Sequence, residues 1–123
     1  MPKKILDVGN CGPDHATVSS YLGSHFDCEV RQAHGAEDAL EALRKEPYDL
    51  VVVNRKLDRD YSDGVEVIKA IKADSGLSSV PVMLITNLPE HQDAAEKIGA
   101  LRGFGKLEYD KPETLERLTA VLG

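Results

Sequence analysis

The feature that most constrains this chain is an alternation between two hydrophobic periods. Short apolar runs stand at Ile5-Leu6-(Asp7)-Val8, Leu50-Val51-Val52-Val53 and Val80-Pro81-Val82-Met83-Leu84-Ile85-Thr86, and Cys28–Ala33 partly alternates. Continuous β-branched runs of this length suit parallel strands covered on both faces. Between them the apolar residues take helical spacing. Val18, Tyr21 and Leu22 share a face behind Pro13; Ala36, Ala39, Leu40 and Leu43 form a second stripe. Val65, Ile68 and Ile71 form a third, Ala94, Ala95 and Ile98 a fourth, and Leu115, Leu118 and Leu122 a fifth after Pro112. A weaker fifth strand is expected around Arg102 to Lys106. Strand starts near Lys3, Cys28, Asp49, Val80 and Arg102 are 21 to 31 residues apart, one βα unit each. The expected fold is α/β: a flavodoxin-like (βα)5 doubly wound parallel sheet with right-handed crossovers.

Such a sheet collects ligands at the carboxyl ends of its strands. The positions to inspect are therefore Gly9, Asn10 and Cys11; His34 and Gly35; Asn54 and Arg55; Thr86 and Asn87; and Lys106. Composition limits what can happen there. The 123 residues suit a single domain, 1–123, and 21 Asp plus Glu against 15 Lys plus Arg give a formal charge of -6. That balance disfavours general nucleic-acid binding, which needs clustered cations. No apolar run exceeds four residues, so neither a membrane span nor a secretory h-region is expected, and the cytoplasm is the default location. Two cysteines, Cys11 and Cys28, are too few for a disulfide framework.

The ordered pieces Lys3-Lys4-Ile5-Leu6, Tyr48-Asp49-Leu50-Val51-Val52-Val53, Asp63-Gly64-Val65-Glu66-Val67-Ile68, Val80–Thr86, Gly99-Ala100 and Gly103-Phe104-Gly105-Lys106 resemble a bacterial response-regulator receiver domain. The resemblance runs from Lys3 to Leu122 and implies strand order 2-1-3-4-5. It also implies phosphoryl transfer onto an Asp ending strand three, a form of covalent catalysis. Two acids after strand one would help hold Mg²⁺. A Thr or Ser ending strand four and a Lys ending strand five would contact the phosphoryl group.

The sequence departs from that pattern where the chemistry is done. The phosphoacceptor position is Asn54, and a carboxamide cannot form an acyl phosphate. The two acid positions are Gly9 and Asn10, while Thr86 and Lys106 are retained. The resemblance puts Lys106 at the strand-five position, although Leu107 rather than Pro follows; Lys111-Pro112 lies too far past Gly103-Phe104. It puts Gly103 at the aromatic switch position, with Phe104 on the opposite face. The loop from Asn54 to Gly64 is ten steps, about two longer than usual for the family.

The expectation is a pseudo-receiver that has lost Asp phosphorylation, is not an enzyme, and signals by protein–protein interaction. No cofactor and no metal are expected. Its degenerate phosphorylation pocket is Gly9, Asn10, Asn54, Thr86 and Lys106. By resemblance its interaction face, built on helix four, strand five and helix five, includes Asn87, Leu88, His91, Arg102, Phe104 and Glu108. The partner would be a histidine kinase or another signalling protein, with a homodimer as a further option. One alternative is a small-anion or nucleotide sensor using Cys11, Gly12, Thr86 and Lys106 around the emptied pocket. A second is thiol chemistry at Cys11 or residual phosphotransfer on a nearby Asp.

Other residues read as structural. Asp7 lies inside strand one and needs a polar partner, unless it reaches the crevice beneath Gly9. Cys11, Asp14 and His15 lack a full set of metal ligands. His25, His34 and His91 read as surface or packing residues, Cys28 as core, and Asp58, Asp60 and Asp63 as acids on a solvated loop.

Overall fold

The computed structural model describes residues 2–123. Five strands and five helices alternate: β1 Lys3–Val8, α1 Gly12–His25, β2 Cys28–Ala33, α2 Ala36–Lys45, β3 Leu50–Asn54, α3 Gly64–Ala73, β4 Val82–Ile85, α4 Pro89–Lys97, β5 Leu101–Phe104 and α5 Pro112–Leu122. The strands form one parallel sheet in order β2-β1-β3-β4-β5, as expected.

Both sheet faces are covered, which explains the continuous apolar runs. Leu6, Val8, Val51, Val53, Val82 and Leu84 face α2, α3 and α4, meeting Ala39, Leu43, Ile68, Ile71 and Ala95. Ile5, Leu50, Val52, Met83 and Ile85 face α1 and α5, meeting Val18, Leu22, Leu118 and Leu122. Full burial of one such Leu or Ile contributes roughly 1.5–3 kcal/mol. The β2 edge is thinner. Cys28 is only half-buried there, packed against the edge of the α1/α5 core rather than within it.

The sequence reading needs two corrections of phase. On α4 the inward positions are Gln92 and Ala95, while Ala94 is exposed. On β5 the ladder to β4 slips: Met83 aligns with Leu101 but Ile85 with Phe104. Three steps on β5 thus face two on β4, which is a bulge. The bulge turns the Phe104 ring into the α1/α5 core, where it is fully buried between Ile85 and Leu118 among others. Phe104 is therefore a core residue and does not belong to the interaction face.

Candidate functional site

The carboxyl edge of the sheet has two sides. On the β1 side the chain turns at Gly9, whose φ of +83° lies in the left-handed region. A Cβ there would collide with Leu57 Cδ2, and Leu57 is itself almost fully buried. The first acid position has no room for a side chain. Leu57 gets there because the loop after β3 folds back as a small hairpin. Leu57 N–H donates to Ser62 O, and Lys56 bridges Asp63. A second tie, His34 Nδ1 to Asp58 Oδ2 at 3.0 Å, holds this loop against the β2–α2 turn. The long loop is thus partly ordered by its acids. Asp60 accepts from the Ser62 N–H and hydroxyl, and Asp63 pairs with Lys56 at 2.6 Å.

Asn10, at the second acid position, is fully buried and turned inward. Its Nδ2 donates to Asp7 Oδ1 at 2.5 Å, and Asp7 Oδ2 lies 2.7 Å from His15 Nδ1. With Asp7 ionised, His15 Nδ1 carries the shared proton. Both Asp7 oxygens are occupied, so this buried carboxylate is a structural anchor between β1 and α1. Burial raises its pKa above the usual carboxylate range, against the opposing pull of His15 and Asn10. Asn10 Oδ1 remains buried without a protein partner.

On the β3–β5 side lies an open cavity of about 360 Å³. Asn54, Arg55, Lys56, Ile85, Thr86, Asn87, Leu88 and Lys106 line it. Asn54 Nδ2 donates to Lys56 O at 2.7 Å. Thr86 Oγ1 accepts from Leu88 N–H at 3.2 Å, leaving its own proton free to donate. Asn87 Oδ1 accepts from Leu107 N–H at 3.0 Å and so ties the loop after β5 to the end of β4. Lys106 reaches across to α1, where its Nζ meets Asp14 Oδ2 at 2.7 Å. That contact holds the Asp14 carboxyl below its usual range. Lys111 stands apart, at the N-cap of α5.

The predicted pocket residues are therefore split. Asn54, Thr86 and Lys106 share the cavity, whereas Gly9 and Asn10 belong to the filled β1 side. The emptied acidic pocket expected from sequence is thus only half open: Leu57 and the Asp7–Asn10 bond fill its β1 half. The proposed anion set is also divided, because Cys11 and Gly12 are absent from the cavity lining. Cys11 is the exposed N-cap of α1, and its carbonyl accepts from His15 N–H.

The residues present do not fit a magnesium ion. Mg²⁺ needs carboxylates and phosphate oxygens in octahedral array. Here one donor position has no side chain, one is turned toward Asp7, and Asn54 offers a neutral amide oxygen where the ion would need a carboxylate. A single orphaned amide oxygen on Asn10 does not replace them.

The surface beside β5 is fixed by side chains. At the bulge, Gly103 N–H donates to Gln92 Oε1 at 2.8 Å and Gly103 O accepts from Arg117 at 3.0 Å. Gln92 Nε2 in turn donates to Leu84 O at 2.9 Å. A Cβ on Gly103 would strike Leu84 O, so no aromatic ring can stand at this switch position. Gln92 spans β4 and β5 instead. Arg102 bonds Asp93 at 2.7 Å and Glu96 at 2.8 Å, pinning the outer side of α4. Of the predicted interaction face, Asn87 and Leu88 are exposed, and His91, Arg102 and Glu108 are half-buried. Glu108 Oε1 accepts from Gly105 N–H at 2.7 Å. Sequence reasoning missed Leu57 and the bonding role of Gln92. Its one available signal for Gln92 was a polar residue three before Ala95 on the same helical face.

Comparison with known proteins decides the family. Residues 14–122 match the response regulator receiver domain. The chain belongs to that family. The transcriptional regulatory protein ZraR of Salmonella typhimurium is 31% identical over 110 residues, covering 86% of this chain and 24% of that protein. The chain thus spans about a quarter of the length of the curated relatives it matches. Chemotaxis protein CheY4 of Vibrio cholerae superposes with a TM-score of 0.77 at 25% identity, over 99% of this receiver and 100% of that chain. A response-regulator structure from Chloroflexus aurantiacus J-10-fl reaches 0.84 at 20% identity, over 99% and 98%. Among the described residues of the receiver, no helix is long and apolar enough to cross a membrane.

Proposed function

We propose that this receiver is not phosphorylated on aspartate and acts as a binding module with one fixed output surface. One observation carries the reading. At the end of β3 stands the Asn54 carboxamide, its nitrogen held by Lys56 O, while Lys106 is paired with Asp14. No carboxylate lines the cavity to attack a phosphodonor. The Gln92 and Arg102 bonds support the second half of the reading, since they tie α4 to β5 without a movable aromatic.

The module is non-enzymatic and engages a protein through the α4–β5–α5 face, around Asn87, Leu88, Arg102 and Glu108. The partner class is a histidine kinase or another signalling protein, with self-association as the alternative. The test is mass measurement of the intact protein after incubation with Mg²⁺ and acetyl phosphate. No hydroxylamine-labile mass gain is expected from the native chain. A labile gain of one phosphoryl group would overturn the reading.

A further inference from the structure

The two edges of the sheet differ. An open edge invites pairing with another chain, and short strands and bulges blunt it. At β5 the strand has four residues, its ladder slips, and Arg117 bonds Gly103 O. At the opposite edge β2 has six residues in unbroken parallel register with β1, from Cys28 against Lys3 to Ala33 against Val8. Lys3 N–H donates to Asp27 O and Gly9 N–H to Ala33 O, so the odd-numbered residues of β2 turn their backbone groups toward β1. Cys28, Val30 and Gln32 therefore turn N–H and C=O outward, to the free edge. Between them stand Glu29 and Arg31, on one face of the strand. Their side chains are 51% and 54% exposed and meet each other only loosely, at 3.6 Å.

We infer that β2 pairs antiparallel with β2 of a second copy of this chain, about a two-fold axis at Val30, joining two sheets into one. The charges of the edge select this occupant. About that axis Val30 meets its own copy as a hydrogen-bonded pair, and Cys28 and Gln32 exchange bonds reciprocally, giving about six backbone hydrogen bonds. Glu29 then falls opposite Arg31 of the second copy, and Arg31 opposite its Glu29. These are the non-hydrogen-bonded positions, where facing side chains come closest. Opposite charges there stabilise the pair and like charges destabilise it. Moving the axis by one residue would set Glu29 against Glu29, or Arg31 against Arg31, so charge also fixes the register. Residues 28–32 hold one acid and one base, so the paired strands add no net repulsion in a chain of formal charge -6. The contact is isologous and closes at a dimer. It goes beyond the binding-module reading, because β2 lies at the far edge from β5 and its pairing leaves the α4–β5–α5 face open.

The experiment is sedimentation velocity of the native chain up to the millimolar range, where a reversible monomer–dimer equilibrium is expected. Glu29→Arg and Arg31→Glu each set like charges opposite one another and should each weaken dimerisation about tenfold or more. Mixed in equal amounts, the two variants should regain it as a heterodimer, since each then meets the opposite sign across the axis. Val30→Pro should abolish dimerisation and keep the fold, because an edge strand tolerates Pro where its N–H side faces solvent. If Val30→Pro fails to fold, the charge variants decide alone. In the native dimer, amide exchange should slow at Cys28, Val30 and Gln32, while Glu29 and Arg31, already bonded to β1, exchange as in the monomer. A native chain that stays monomeric would overturn the inference. So would a dimer that survives both single charge reversals, which would place the association on another face, or a mixture that stays monomeric. None of these results bears on the mass test above, so the two readings stand or fall separately.

Discussion

The two sides of the carboxyl edge have changed in opposite ways. On the β1 side the acid positions are incorporated into the core: Gly9 yields its space to Leu57, and Asn10 bonds the buried Asp7. On the β3–β5 side the positions stay open to solvent and carry no carboxylate. On the proposed reading, Asn54 alone removes the acceptor carboxylate. Filling the β1 side goes further, because it removes the volume into which the acids would have to return.

That asymmetry predicts unequal responses to restoring the acids, and this is the largest effect expected. Gly9→Asp combines a left-handed φ, a collision with Leu57 and a buried carboxylate. It should cost about 3 kcal/mol or more in urea unfolding. Asn54→Asp stands on the open cavity beside three cations and should change stability by less than about 1 kcal/mol. Equal costs for the two variants would erase the distinction between a filled side and an open one.

The second prediction concerns the fixed surface. Gln92→Leu keeps a side chain of similar volume but abandons Gly103 N–H and Leu84 O at the bulge. Leaving buried backbone groups unpaired should cost about 1–3 kcal/mol. The loss should be local: hydrogen exchange should quicken at Gly103 and along α4 while β1 and β3 stay protected. Uniform exchange would mean that Gln92 adds general stability and does not hold this face.

These cases also show how far the sequence could be read. The sheet order and helix faces were legible because buried strands and amphipathic helices impose periods of their own, as at Leu50–Val53 and Ala36–Leu43. The absence of carboxylates at Gly9, Asn10 and Asn54 was legible because it is a matter of residue type. What filled the space was not. Leu57 reaches Gly9 only through a hairpin in the loop after β3, and Gln92 meets Gly103 across two elements. Phe104 depended on the bulge, which no local pattern announces. The cationic cavity was largely legible: Arg55, Thr86, Asn87 and Lys106 stand at strand ends and were marked there, but Lys56 joined them only through the turn after β3.

The smallest effect expected is a pH dependence that separates the two sides again. Asp7, on the filled side, has its pKa raised by burial above the model-peptide value of 3.8. A carboxyl raised in the folded state binds protons more tightly there than in the unfolded chain. Its contribution to stability is fully present below pH 3.8 and is lost as pH rises through the raised value. Asp14, on the open side, is lowered by its bond to Lys106 and behaves oppositely. Its contribution is present above the unfolded pKa and disappears as pH falls through the lowered one. Asp7→Asn removes the first dependence while preserving shape. Measured by urea unfolding between pH 3 and 7, native stability minus that of Asp7→Asn should therefore fall as pH rises. Asp14→Asn should give a difference that rises over the same range, with a smaller amplitude because the pair is partly exposed. Two differences of the same sign would show that the β1 carboxylate is held by its hydrogen bonds more strongly than burial opposes it, and that the filled side is electrostatically like the open one.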